Sequence, residues 1–413
     1  MMRDRLLAAV RGAEQRLVAL TKALVAAPSG NPPGDTTEVA RVAAEILEAV
    51  PGAEVSQHVA ESPIVNVVAR LKGEAPGPRL VFNGHLDTYP VGDAAAWSHD
   101  PLAGEVADGK LYGRGVTDMK GGIACSLLAF ELMATCREAW AGELVVTLAG
   151  DEEVMGMRGT KFLLETVPHA TGDAMICGDA GSPRVIRLGE KGMLWLALVA
   201  RGRAAHGAHV HLGASAIERL TEALTRLTGL RAWPVESPPD VARVVAEARA
   251  VSEPISGAGE AEVLESVTVN FGTIEGGRAA NLVAEEARAT ADIRLPAGVS
   301  LAEIEAEVAR LLDPLEGISY AAVQSCEASW SGADHPVARL ALANAKAALG
   351  GQAVVNQRVG GSDARLYRDA GVPSIVVGLT PHNMGAADEY TTLEDLRAVA
   401  EIHTMTAFDF LTP

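Results

Sequence analysis

A chain of 413 residues with 48% hydrophobic content is long enough for two or three domains and apolar enough to bury a sizeable core, which sets global disorder aside. Acidic residues outnumber basic ones by 53 to 35, for a formal charge of -18, and no basic run is present to meet a nucleic-acid backbone. The four cysteines, Cys125, Cys136, Cys177 and Cys326, lack CxxC or CxxxC spacing and read as reduced core thiols, not as a disulfide frame or a zinc knuckle.

The first residues, MMRDRLLAAVRGAEQRLVAL, are interrupted by Arg, Asp and Glu and start an amphipathic helix, not a signal peptide. No stretch reaches the roughly 18 consecutive apolar residues of a membrane span, so a soluble cytoplasmic protein is expected. A helix follows at 36–49, where apolar residues recur at helical spacing. RLVFNG (79–84) and ELVVTLAG (143–150) are short apolar runs ending in Gly, with a helix between them from about 121 to 139. Strand, helix and strand at this spacing predict a βαβ unit and a mostly parallel sheet flanked by helices, an α/β fold. DAMICGDAG (173–181) is a further strand with polar residues at its end.

The texture changes after about residue 190. GMLWLALVARG (192–202) alternates like an antiparallel strand, and 213–230 is an amphipathic helix. A Pro/Glu-rich stretch at 233–262 reads as a linker. Strands at 265–277 and 286–298 precede a helix at 300–312 with Ser300 as N-cap. The simplest account is a small α+β block, 191–305, inserted into a larger α/β domain made of 1–190 and 306–413. The α/β texture returns at 335–350 and 372–379.

Polar groups gather where the first-half strands end. His85 and Asp87 in VFNGHLDTYP share one side of an extended segment, because side chains alternate with period 2. GRGVTDMKGG brings Asp118, LAGDEEVMG brings Glu152 and Glu153, CGDAG brings Asp179, and GLTPHNMGAADEY brings His382. Ligands of open α/β sheets bind at the carboxyl ends of the strands. So many carboxylates at one rim of a chain already at -18 call for a cation, and imidazole with carboxylates suits zinc, with manganese or cobalt as substitutes. Taken singly, each has a plainer reading: His85 with Asp87 as a hydrogen-bonded pair, Asp118 as an N-cap, the two glutamates as a solvated turn.

These segments, in this order from NPPGD (31–35) to DEYTTLEDL, resemble the M20 metallopeptidase family of deacetylases, desuccinylases, aminoacylases and glutamate carboxypeptidases. The resemblance implies a catalytic domain with an inserted dimerisation domain, a homodimer, and two divalent metal ions per subunit, zinc first. It implies His85 on one ion with Asp87 orienting its imidazole, Asp118 bridging both, Asp179 beside His85, and Glu153 with His382 on the second ion. Glu152 would be the general base that activates a metal-bridging water for attack on an amide carbonyl. His206, in RGRAAHGAHVHLG, would reach the partner's active site and polarise the scissile carbonyl. Asn281, Arg294 and the loop holding Gly360 and Gly361 would bind a small substrate, Arg294 gripping its carboxylate.

The reading is therefore a hydrolase of C–N bonds, an N-acyl amino acid deacylase or a carboxypeptidase. Within the same fold, removal of an amine from a non-peptide substrate or a catalytically dead binding homologue are the alternatives. A serine or cysteine hydrolase lacks a G-x-S-x-G elbow and a paired Cys/His context. One departure stands out: His382 lies seven residues before Glu389, where the family has three or four. His209 stands where the family commonly has Pro, and His211 two residues on; both are candidates to line the cleft.

Overall fold

Leu80, Val81 and Phe82 are fully buried in the strand Arg79–His85, which lies inside a nine-stranded sheet. The computed structural model describes residues 1–412. Along the sheet the strands run Glu54–Glu61, Ile64–Lys72, Glu143–Ala149, Arg79–His85, Ala174–Cys177, Ser374–Val376, Val185–Glu190 and Ser329–Trp330, and Val354–Arg358 also pairs with Val185–Glu190. Four consecutive strands of that order, from Glu143–Ala149 to Ser374–Val376, run parallel to one another. The pairs on the Glu54–Glu61 side are antiparallel, so the sheet is mixed, with its parallel part at the centre. Central strands are apolar on both faces because helices cover both faces. Helix Gly121–Ala134 is buried almost all round and is itself covered by Leu393–Leu411.

A second sheet, of four antiparallel strands, runs in the order Thr268–Gly276, Glu286–Leu295, Gly192–Arg201, Ile318–Cys326. Helices Ala216–Thr228 and Leu301–Leu312 close its apolar face around Leu196, Leu198, Leu220 and Ile293, a core separate from that of the large sheet. The boundary expected at 305 falls inside helix Leu301–Leu312, and the fourth strand of this sheet lies beyond it. Ile318–Cys326 is mostly exposed and weakly alternating, which hid it from a pattern reading.

The stretch 233–262 is not a linker. It forms the helix Pro239–Ser256 and a short helix Glu260–Leu264. Pro239 stands in the first turn, where a missing N–H costs nothing, and Val241, Val244, Val245 and Ala248 follow at helical spacing and are buried. The helix packs on strand Val354–Arg358 of the large sheet, and Arg187 reaches from that sheet to Glu260 at 2.9 Å.

Candidate metal centre

Strand register decides which side chains meet. His85 is opposite Ala149 on one neighbour, and Asn83 is opposite Cys177 on the other. Asp179, two residues past Cys177, therefore comes level with His85, two residues past Asn83. The glutamate pair follows Ala149 by three and four residues on the other side. Asp118 arrives from a different element, the turn Val116–Lys120 that leads into helix Gly121–Ala134. That helix comes close to the strand end because Gly122 meets Gly178 backbone to backbone: a Cβ at Gly122 would stand 1.9 Å from the Gly178 carbonyl oxygen.

His85, Asp118 and Asp179 each offer a ligand atom within 4.8 Å of the others. His85 Nε2 lies 3.0 Å from Asp118 Oδ1, and Nδ1 lies 2.8 Å from the main-chain oxygen of Asp87. Burial opposes the charged imidazole, but Asp118, Asp87 and Glu152 outweigh it and hold its pKa well above the usual range. Burial also opposes the Asp118 carboxylate, yet its contact with His85 keeps the pKa below the ordinary value. Asp179 is pushed up, first by burial and then by Asp118, against the pull of Arg358. Among the described residues this is the one such trio of potential ligands.

Glu152 and Glu153 face the trio. Burial, then Asp363 and Asp179, push Glu152 well up, against His85. Glu153 is pushed up to about 8 by burial and by Asp118, and its Oε1 is buried without a hydrogen-bond partner. Arg365 lies 3.9 Å from Glu152 Oε1 and donates to the Met155 and Ser362 carbonyls at 2.6 and 2.8 Å, bracing the turn that carries both glutamates. The Asp87 carboxylate stands beside the His85 imidazole and also braces the glutamate turn. It is 3.6 Å from His85 Nδ1, and it accepts from Asn31 and from the main-chain N–H groups of Glu152 and Glu153. The hydrogen bond that fixes the imidazole runs to the main-chain oxygen of Asp87, with the side chain close by, and that side chain also positions the glutamate turn.

His382 is partly buried, and its ring lies flat on Tyr390, 4.5 Å between centroids. Tyr390 donates its main-chain N–H to the His382 carbonyl at 3.2 Å, so the extra residues loop out between two paired ends. That loop returns to the site: a Cβ at Gly385 would lie 3.7 Å from the ring of Tyr89, whose hydroxyl is raised to about 12 first by Glu153. His382 is outside the 4.8 Å trio. Glu389 supports Asp118 from the same segment, accepting from Gly115 N, Thr117 N and Thr117 Oγ1 and pairing with Arg114 at 2.5 Å.

The remaining candidates divide. His206 is exposed on the second sheet's domain, and Gly207 N–H donates to the Asn281 carbonyl, which sets Asn281 beside it. His209 and His211 are exposed with rings 5.9 Å apart and belong to no ligand trio. Arg294 is held by Asp292 through Nε (2.8 Å) and Nη2 (3.1 Å), and its Nη1 is buried with no partner. Gly360 and Gly361 form the turn after strand Val354–Arg358, a Cβ at Gly361 falling 3.8 Å from Glu190. Sequence reading missed Arg358, 2.8 Å from Asp179, and also Arg365 and Asp363. Arg358 lies two residues before Gly360, and Asp363 and Arg365 lie two and four residues after Gly361; the signal available was their charge next to a glycine loop in so acidic a chain.

One imidazole, the two carboxylates of Asp118 and Asp179 beside it and an orphaned Glu153 oxygen form the donor set of a borderline-hard divalent cation, so the residues fit a metal centre. The model described as peptidase family M20/M25/M40 matches residues 81–409. A succinyl-diaminopimelate desuccinylase of Methylobacterium nodulans is 33% identical over 404 residues, covering 93% of each chain. An M20 family metallo-carboxypeptidase from Sulfolobus solfataricus has the same fold, with a TM-score of 0.80 at 17% identity over 96% of this chain and 98% of its own. A dinuclear metal-binding peptidase of Bacillus subtilis gives 0.66 at 15% identity over 97% and 99%.

Proposed function

The chain belongs to peptidase family M20/M25/M40, which makes it a metal-dependent hydrolase of amide C–N bonds, and we propose that it cleaves an N-acyl group or a terminal residue from a small substrate bearing a carboxylate. The observation that carries this reading is the convergence of His85, Asp118 and Asp179 within 4.8 Å beside Glu152 and the unpartnered Glu153. His85, Asp118, Asp179, Glu153 and His382 would hold two divalent ions, zinc by the donor set, with manganese or cobalt able to replace it. Such ions, when bound, supply a Lewis acid for the carbonyl and a lowered pKa for water.

The chain's own groups then divide the work. Glu152 takes a proton from the attacking water as the C–O bond forms, and delivers it to the nitrogen as the C–N bond breaks. Arg365 keeps that carboxylate on its turn, and Asp87 keeps the turn in place. Arg294 offers its unpartnered Nη1 to the substrate carboxylate, with Asp292 holding the rest of the guanidinium. Gly360 and Gly361 leave room for the substrate beside the ions.

His206 stands exposed, Leu282 is bridged to it, Val210 and Leu212 follow in the same turn, and all three are exposed. An apolar patch carrying a solvent-facing histidine suits a homodimer in which His206 polarises the partner's scissile carbonyl, aided by Asn281. No helix among the described residues is long and apolar enough to cross a membrane. Four free thiols fit a reducing compartment such as the cytoplasm. The alternative of an inert binding homologue loses ground to the presence of Glu152.

The test is metal analysis followed by a substrate panel. About two equivalents of zinc or manganese per chain, and turnover of at least one among N-acetyl, N-succinyl, N-carbamoyl and aminoacyl amino acids, support the reading. A folded protein that takes up no divalent ion overturns it.

A further inference from the structure

We propose that Arg358 competes with a metal ion for the Asp179 carboxylate, making the ion position shared by His85 and Asp179 the weaker of the two. This inference rests on the metal-centre reading above. Arg358 ends the strand Val354–Arg358, whose pairing with Val185–Glu190 slips by one residue between Asn356 and Gln357. Its Nη1 donates to Asp179 Oδ2 at 2.8 Å, and the other oxygen of Asp179 accepts the N–H of Ala180. Both oxygens of a ligand in the trio are therefore engaged by the protein itself.

The guanidinium has no easy exit. Its side chain is largely buried, and Glu190 lies on strand Val185–Glu190 opposite it. Glu190 is in turn held by Arg368 at 2.7 Å and by Ser362 at 3.3 Å. Arg358 is thus a fixed positive charge between two buried carboxylates, one of them Asp179. An ion entering next to His85 must share Asp179 with this partner and tolerate a like charge at short range. Among the described residues, neither Asp118 nor Glu153 accepts a hydrogen bond from an arginine: Asp118 meets the neutralisable imidazole of His85, and Glu153 Oε1 is unpartnered. The consequence is unequal filling: one ion held tightly, the second only as the metal concentration rises.

The experiment titrates metal-stripped protein with Zn2+ in competition with a chromophoric chelator, for the wild type, Arg358→Met, Arg358→Gln and Arg358→Lys, each checked for folding by circular dichroism. The wild type is expected to bind in two resolved steps. Either neutral variant should tighten the weaker step by about tenfold to a hundredfold, the range of one charge-assisted hydrogen bond, and leave the tighter step alone. Arg358→Lys, which keeps the charge, should retain the wild-type gap. A weaker step that is unchanged or loosened in the neutral variants overturns the inference while the metal centre stands. If neither neutral variant folds, Asp179→Asn decides: it should erase the weaker step alone, and loss of the tighter step instead overturns the inference. Wild-type protein that binds no Zn2+ at all sinks the metal-centre reading itself.

Discussion

Asp87 Oδ1 accepts the main-chain N–H of Glu152 at 3.1 Å, across 65 residues of sequence. The same carboxylate takes the N–H of Glu153 at 3.2 Å through Oδ2. A fully buried acid thus ties the end of one parallel strand to the turn after the next, and it holds in place the turn that carries Glu152, the proposed base. Asp87→Asn replaces one acceptor by a donor that faces an N–H. Turnover should fall by about a hundredfold, the cost of a misplacement near 1 Å, with metal content retained. Ion loss on this substitution would show that Asp87 serves the metal instead.

Glu152→Gln keeps the size of the side chain and removes its basicity. The expected result is a fall in kcat of about 10²–10⁴-fold with bound metal unchanged. Glu153→Gln should do the reverse and release an ion first. Metal analysis of the two variants side by side would expose an exchange of roles between these neighbours.

Arg294→Met should raise KM far more than it lowers kcat. The lost contact to a substrate carboxylate is a charge-assisted one, so kcat/KM should drop by about tenfold to a hundredfold. Asp292→Asn should give a smaller shift in the same direction, because Arg294 keeps its charge but loses its bidentate hold. Unchanged KM with a collapsed kcat would remove Arg294 from substrate binding.

Glu389 sets the turn that carries Asp118 through four contacts, none of them with Asp118 itself. Glu389→Gln breaks a buried pair with Arg114 and should destabilise the fold by about 3–5 kcal/mol. Metal affinity should weaken in the same variant, read by chelator competition at a temperature where it is folded. Full affinity in the folded variant would mean that the turn holds Asp118 without help.

His403 reports on pH through stability alone. Burial lowers its pKa to about 4, and it donates Nε2–H to the Val377 carbonyl at 2.7 Å while Ser126 lies 3.2 Å from Nδ1. The unfolded chain protonates this histidine near about 6.5, so it binds more protons than the folded chain between the two values. The stability it contributes is whole above about pH 6.5 and fades toward about pH 4, by about 3 kcal/mol at most. Urea midpoints at about pH 7 and pH 5 should fall more steeply for the wild type than for His403→Gln. Parallel slopes would place the acid sensitivity elsewhere, among the carboxylates of the metal centre.

Local pattern determined much of this protein. Apolar runs closed by Gly announced the strands Arg79–His85 and Glu143–Ala149, and alternation placed His85 and Asp87 on one side before any partner was known. Ser300 caps helix Leu301–Leu312 as its position suggested, its Oγ accepting from Glu303 N and the Glu303 carboxylate accepting in return. What local pattern hid was of two kinds. Helix Pro239–Ser256 was masked by its prolines: Pro238 and Pro239 stand at its start, where a missing N–H costs nothing, and Pro254 stands in its last turn. The other kind is long-range pairing: Arg358 on Asp179, Glu389 on the Gly115–Thr117 turn, Asp87 on the glutamate pair. Each joins segments 65 to 275 residues apart, and their meeting depends on strand order and register. Side-chain spacing is a property of a few neighbouring residues, so it names the groups that do chemistry; only the folded sheet decides which of them share a charge, and with whom.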